Sequence, residues 1–151
     1  MGYISELRKF VGHRPLMCCA AGALIFNHNN QVLLQRRSDD GLWGNPGGSM
    51  DLGESAEDTV KREILEETGL TINNLEFFHM YSGKDGYVKY PNGDEVYYVN
   101  VIYLVHDYEG EVHISDDESL ELKFFDITQI PENRTELLNL IMKDYAIFSQ
   151  K

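Results

Sequence analysis

The sequence predicts an α+β domain, in which several strands form a layer and helices pack against it. Three observations carry this prediction. Apolar runs rich in β-prone residues recur along the chain, a capped segment near the middle has helical spacing, and an amphipathic segment lies near the C-terminal end. The 151 residues contain no internal repeat or linker-like tract, so a single domain is expected over residues 1–151.

The first third of the chain is predicted to contain one helix, two strands and a loop. Residues 4–10 carry apolar side chains at helical spacing. Residues 16–26 form an apolar run typical of a buried strand, and residues 31–35 form a second strand pattern. The turn signal at 27–30 predicts that these strands pair as a hairpin. Residues 38–48 are rich in glycine, which predicts a loop.

The central helix has the clearest local signals. Ser55 and Asp58 fit a capping box at its start, and acidic residues in the first turn suit the helix dipole. Gly69 suits the position just past its end. The helix is therefore expected to run from about Ala56 to Thr68.

The second half of the chain is predicted to hold three more strands and a closing helix. The strand patterns cover residues 75–81, 96–105 and 120–125. Residues 83–93 are polar and glycine-rich, which predicts a long loop. Pro131 precedes an amphipathic pattern that predicts the last helix.

The overall charge limits the partners of this chain. A formal net charge of −12 repels DNA and anionic membranes, so neither is expected as a partner. No apolar run approaches the roughly 20 residues that span a bilayer, and no secretory signal is visible, so a cytoplasmic location is expected. A small anionic substrate would need local positive charge, which bound metal ions supply economically.

The two cysteines, Cys18 and Cys19, are adjacent in an apolar run. A disulfide between neighbouring residues would be strained, and the pair lacks metal-site spacing. Both are therefore expected to be buried free thiols in a reducing compartment.

Three carboxylates on the central helix suggest a binding site. Glu63, Glu66 and Glu67 share one face by their i, i+3 and i+4 spacing, and they lie at the end of the helix that the dipole disfavours for acids. A solvated acidic face is the alternative, but these acids lack a well-oriented basic partner in helical register. The pattern favours a bound cation, and the oxygen ligands favour Mg²⁺ or Mn²⁺ over zinc.

The stretch from Gly48 to Leu70 resembles the Nudix box. Its defining positions are all filled, by Gly48, Glu54, Arg62, Glu63, Ile64, Glu66, Glu67, Gly69 and Leu70. The resemblance implies an α/β/α sandwich around a mixed β-sheet. It also implies an enzyme that uses Mg²⁺ or Mn²⁺ to cleave a nucleoside diphosphate linked to another moiety.

The resemblance assigns roles by position. Glu66 and Glu67 would be the main metal ligands, with Glu63 as a further ligand or base. Arg62 would orient the glutamates through Glu63 or Glu54. Gly48 would belong to the metal site by allowing close approach of the backbone.

Members of this family often add an acid from a loop beyond the box. We expect Glu118 to fill this catalytic and metal-binding role, because it lies just before the 120–125 strand. Asp116, Asp117 and Glu121 are the other candidates, and a solvated acidic loop is the alternative.

The substrate is expected to be a small nucleotide. Arg36 or Arg37 could contact its phosphates, since both lie at a strand end beside the glycine-rich loop, and Tyr87 could stack on its base. The leading hypothesis is a Mg²⁺-dependent pyrophosphohydrolase acting on a nucleotide sugar, dinucleoside polyphosphate, ADP-ribose or nucleoside triphosphate. A non-catalytic nucleotide sensor and an RNA 5′-end pyrophosphohydrolase are the alternatives, and a homodimer is left open.

Overall fold

The elements of the fold follow the local signals of the sequence closely. The computed structural model describes residues 2–150. Its elements in chain order are α1 (Tyr3–Val11), β1 (Leu16–Ile25), β2 (Val32–Arg37), β3 (Trp43–Gly44), β4 (Gly47–Ser49), α2 (Ala56–Thr68), β5 (Thr71–Ile72), β6 (Glu76–Tyr81), a 3-10 helix (Gly83–Gly86), β7 (Tyr87–Lys89), β8 (Glu95–Val105), β9 (Tyr108–Glu109), β10 (Ser119–Phe125) and α3 (Glu136–Phe148). The predicted helices and long strands are confirmed. No helix within residues 2–150 is long and apolar enough to cross a membrane.

A mixed sheet forms the centre of the fold. Its strand order is β4–β1–β8–β6, and β7 also pairs with β8. Strands β1 and β8 run parallel from Leu16 beside Val96 to Ile25 beside Val105. The other pairs in this sheet are antiparallel. A second antiparallel sheet has the order β10–β2–β3, and β5 pairs with β9.

Helices cover both faces of the mixed sheet. Because side chains alternate along a strand, β1 and β8 each contribute to two clusters. On one face α2 packs against the strands in a cluster that includes Val60, Ile64, Ala21, Ala23 and Tyr103. On the other face α3 packs in a cluster that includes Leu138, Ile141, Leu24, Ile102 and Leu104. The expected α/β/α sandwich around a mixed β-sheet is therefore confirmed.

The predicted hairpin between β1 and β2 is wrong beyond its first pair. Phe26 and Val32 form a single antiparallel bridge around the 27–30 turn, and the two strands then enter different sheets. The reason is that both edges of β1 are occupied, one by β4 and the other by β8. Strand β2 pairs instead with β10 and β3.

Both predicted loops contain short strands. The 38–48 segment holds β3 and the start of β4, and the 83–93 segment holds the 3-10 helix and β7. These pieces are too short to give a periodic signal and depend on pairing with distant strands.

The prediction for the cysteines is half wrong. Both are free, but only Cys18 is buried, and Cys19 is exposed. Neighbouring side chains on a strand point to opposite faces, and the face that carries Cys19 is exposed at the start of β1.

Candidate active site

Helix α2 is held in place by the caps that the sequence predicts. The Ser55 hydroxyl accepts the Asp58 backbone N–H at 3.0 Å, and the Asp58 carboxylate accepts the Ser55 N–H at 3.1 Å. Gly69 ends the helix in a left-handed conformation with φ of 80°, and its N–H donates to the Leu65 carbonyl. These caps fix which residues of the helix face the sheet, and Glu67 is among them.

Arg62 gathers the surrounding acids. Its guanidinium donates to both carboxylate oxygens of Glu54, at 2.6 and 2.9 Å, and to Glu63 at 2.9 Å. It also donates to the Ser49 carbonyl at 3.1 Å and reaches Glu66 at 3.4 Å. The hydrogen bonds from Arg62 lower the pKa of Glu54 to about 2.

Two of the three glutamates thus contact Arg62, although neither has a well-oriented basic partner in helical register. One guanidinium reaches Glu63 and Glu66 at once because its fork spreads its donors over several directions. Helical spacing alone does not reveal this contact, since Arg62 and Glu63 are adjacent in the sequence.

Glu67 is the buried carboxyl group of the site. It is 1% exposed, accepts the Gly47 N–H at 3.2 Å and is hydrogen-bonded to the carboxyl group of Glu63. Burial and the neighbouring Glu63 raise the pKa of Glu67 to about 9. Two carboxyl groups in such contact share a proton, which a bound cation would displace.

Gly48 lies directly against Glu63. A Cβ atom at position 48 would collide with the Glu63 carboxyl group. The glycine therefore lets β4 approach α2 closely enough for Glu63 to lie beside the strand.

Glu118 lies in the same cavity as Glu67. The cavity has a volume of about 310 Å³ and is lined by Gln35, Arg37, Ser38, Asp39, Gly47, Glu67 and Glu118. Burial and the neighbouring Asp116 raise the pKa of Glu118. The loop that carries Glu118 is tied to α2, because the His113 N–H donates to the Thr68 carbonyl and the Ser115 hydroxyl donates to the Glu66 carbonyl.

The charges of this cavity fit a divalent cation. The negative charges of Glu63 and Glu118 raise the pKa of Glu67, and the charge of Glu63 also raises the pKa of Glu118. Carboxylate oxygens are the ligands that Mg²⁺ and Mn²⁺ prefer. Within residues 2–150 no three such side chains are arranged to hold a metal ion, Glu63 is bonded to Arg62, and the Glu66 side chain is 56% exposed.

Comparison with known proteins decides the family. A model of the NUDIX domain matches residues 18–144, which is most of the chain. The chain belongs to the Nudix family. The resemblance drawn from the box is thus confirmed. This is a family of hydrolases that act on nucleoside diphosphate derivatives and generally use a divalent metal.

Two relatives and one solved structure illustrate the family. The chain is 32% identical over 124 residues to an ADP-ribose pyrophosphatase from Methanocaldococcus jannaschii, covering 80% of this chain and 69% of that protein. It is 30% identical over 123 residues to an NAD-capped RNA hydrolase from Actinobacillus succinogenes, covering 78% of this chain but only 42% of that protein. The crystal structure of a MutT NUDIX hydrolase from Burkholderia pseudomallei matches with a TM-score of 0.74 at 27% identity, covering 85% of this chain and 98% of that one.

In this Nudix chain, the two arginines predicted to contact phosphate, Arg36 and Arg37, lie on different sides of β2. Arg37 lines the acidic cavity and donates to Asp39 at 2.8 and 3.1 Å. Arg36 lies 3.6 Å from Glu121 and does not line that cavity. Strand alternation explains the difference. The structure thus brings Arg37, but not Arg36, to the site.

A second cavity of about 310 Å³ adjoins the acidic one and shares Arg37 and Gly47 with it. Tyr87 lines this cavity, is 39% exposed, and donates its hydroxyl hydrogen to Glu95 at 2.6 Å. The stacking role predicted for Tyr87 stays a prediction.

Several residues that line the cavities were not singled out by the sequence. They are Gln35 in the acidic cavity and Asn45, Asn100 and Thr135 in the second. Strand alternation is the signal that could have found two of them. Gln35 lies two residues before Arg37 on β2, and Asn100 lies two residues after Tyr98 on β8, so each shares a face with a residue that lines the same cavity.

Proposed function

We propose that this Nudix chain is a pyrophosphohydrolase that uses Mg²⁺ or Mn²⁺ to cleave the diphosphate linkage of a nucleoside diphosphate derivative. The observation that carries this proposal is the meeting of Glu67 and Glu118 at one cavity, with Glu63 in contact with Glu67. Glu63 and Glu67 come from α2 and Glu118 comes from a distant loop, and their pKa values are all raised. Residues 1–151 would act as one domain.

Glu63, Glu67 and Glu118 would hold the cation, with Gly48 leaving room for Glu63 and with Glu66 as a further ligand from its exposed position on α2. The bound metal would neutralise phosphate charge and lower the pKa of an attacking water. Glu67 is fixed by the Gly47 N–H, and Glu63 is oriented by Arg62. Proton removal from water would fall to a carboxylate that is ionised when the cation is bound, and Glu63 and Glu118 are the candidates.

Arg37 is suited to contact the substrate phosphates. It lines both cavities, so it lies between the acids and the space for the rest of the substrate. Its present partner, Asp39, is a carboxylate that a phosphate group could replace by the same paired geometry.

The second cavity would take the nucleoside. Tyr87 and Tyr90 offer aromatic faces, and Asn45 and Asn100 offer amide groups that can donate and accept hydrogen bonds. The relatives named above act on ADP-ribose and on NAD-capped RNA, and each of these contains a nucleoside diphosphate. The free cysteines fit the proposed cytoplasmic location, and a homodimer stays a prediction.

A substrate panel tests the proposal. Purified protein with Mg²⁺ or Mn²⁺ is expected to hydrolyse at least one compound among nucleotide sugars, dinucleoside polyphosphates, ADP-ribose, nucleoside triphosphates, and 5′-triphosphate or NAD-capped RNA. Chelation of the metal should stop the reaction, and Glu67→Gln serves as the inactive control. Binding of a panel member without turnover would instead support a sensor, and turnover of RNA alone would support the RNA alternative. No hydrolysis of any member would refute the proposal.

Glu118→Gln is expected to lower kcat by about 10²-fold, because it removes one charged oxygen donor from the cavity. The measurement is kcat with the best substrate of the panel over a range of Mg²⁺ concentrations. Glu111→Gln, at an exposed acid earlier on the same loop, is the matched control and should retain full activity. If Glu118→Gln keeps nearly full turnover, Glu118 is not part of the catalytic site.

A further inference from the structure

Three buried polar side chains connect the strands to the carboxylate helix. Gln35 on β2 is 5% exposed, Ser119 on β10 is 7% exposed and Glu67 on α2 is 1% exposed. The Gln35 amide nitrogen donates to the Ser119 hydroxyl oxygen at 2.6 Å. The Gln35 side chain also lies beside the Glu67 carboxyl group, where it lowers the pKa of Glu67, and both residues line the acidic cavity.

The chemistry of glutamine suits this double contact. A carboxamide nitrogen carries two hydrogens, so one amide can donate to both Ser119 and Glu67. Neither methionine nor leucine could donate either bond. Glutamate would place another acid beside Glu67, whose surroundings already hold Glu63 and Glu118.

The contact joins the two parts of the acidic cavity that come from distant sequence. Ser119 directly follows Glu118, so a bond to Ser119 restrains the start of β10 and the acid beside it. The ladder between β2 and β10 is irregular here, since its register shifts between Ser119 and Glu121. The side-chain bond from Gln35 therefore supplements backbone pairing at the point where that pairing is interrupted.

We propose that Gln35 is a positioning residue that sets the separation of the Glu67 and Glu118 carboxylates for a divalent cation. The inference rests on the proposed function, because it concerns the same metal site. Gln35 acts through the two acids and not by contact with the substrate. Side chains that orient metal ligands typically change metal affinity by about 10–100-fold when they are removed.

The test uses binding of Mn²⁺ alone to the metal-free protein, measured by electron paramagnetic resonance of free Mn²⁺. Gln35→Met keeps the side-chain length and removes the amide that meets Ser119 and Glu67, and it is expected to weaken Mn²⁺ binding by about 10–100-fold. Ser119→Ala leaves the contact between Gln35 and Glu67 and should weaken binding less. Gln31→Met, at the start of the same segment and outside both cavities, is the matched control and should bind as the wild type does.

A purely structural role predicts a different pattern. It would lower the melting temperature of Gln35→Met but leave its Mn²⁺ affinity within about twofold of the wild type. That result would overturn the inference. If Gln35→Met does not fold, Ser119→Ala decides by the same criterion. Wild-type protein that binds Mn²⁺ but hydrolyses nothing would refute the proposed function. The Mn²⁺ affinities of the variants would then still decide whether Gln35 is a positioning residue. Wild-type protein that binds no Mn²⁺ would refute both.

Discussion

Replacing Glu67 with glutamine is expected to lower turnover by about 10³-fold and to raise the stability of the metal-free protein at neutral pH. Turnover falls because the site loses its most buried carboxylate. Stability rises because glutamine fills the same space without an acid that must be kept protonated in a buried site beside Glu63. Steady-state kinetics and urea unfolding with chelator measure the two effects.

The raised pKa of Glu67 determines how the unfolding free energy should change with pH. The folded-state pKa of Glu67 is raised from 4.5 to about 9, so the folded protein keeps a proton that the unfolded chain releases. The stabilising contribution is complete below the unfolded pKa and is lost as pH rises through the folded one. The unfolding free energy of the metal-free wild type should therefore contain a component that falls between pH 4.5 and about 9.

The Glu67→Gln variant should lack that component. Glu57→Gln, which changes an exposed acid on the same helix, should retain both the pH dependence and the turnover of the wild type. Parallel stability curves for Glu67→Gln and the wild type would contradict the assignment of the raised pKa to this residue. A saturating divalent metal should reverse the loss, since it binds the ionised form.

Arg62→Lys is the second change with a large expected effect. Turnover should fall by about 10²-fold, because one ammonium group cannot donate at once to Glu54, Glu63 and the Ser49 carbonyl. The unfolding free energy should fall by about 1–3 kcal/mol, because partly buried acceptors lose their donors. This range is below that for a fully buried ion pair, since the Arg62 side chain is 29% exposed.

Kinetics and urea unfolding of Arg62→Lys measure these losses. Lys61→Arg, at the exposed neighbouring position, is the control and should resemble the wild type. If Arg62→Lys retains most of its turnover, then the fork-shaped geometry of the guanidinium does not orient the acids.

The sequence predicted best those features that depend on neighbouring residues. The ends of α2 follow from Ser55, Asp58 and Gly69, whose interactions lie within a few residues of each cap. The box identified the family because its residues lie at fixed spacing along the 48–70 segment that contains that helix. The hairpin prediction was wrong because the partners of a strand are chosen across the whole chain, and β8 fills the edge of β1.

The same difference between local and long-range interactions applies within the site. Glu118 was placed by analogy with a loop acid of the family, and the structure brings it to the cavity of Glu67, while its role awaits the test above. Strand alternation could have placed Gln35 on the same face as Arg37, but nothing local shows what a single glutamine in an apolar strand contacts. Only the tertiary structure shows its bond to Ser119, 84 residues away.

The parallel pairing of β1 with β8 has a consequence for how the chain is made. Eighty residues separate Leu16 from its neighbour Val96, so β1 leaves the ribosome well before β8 has been synthesised. At about 5–20 residues per second, roughly 4–16 seconds pass between the synthesis of β1 and that of its parallel partner. The cavity is completed later still, when Glu118 and Ser119 emerge. The nascent chain therefore cannot complete the acidic cavity until most of it has been translated, and under the proposed function metal capture would be a late event in its biogenesis.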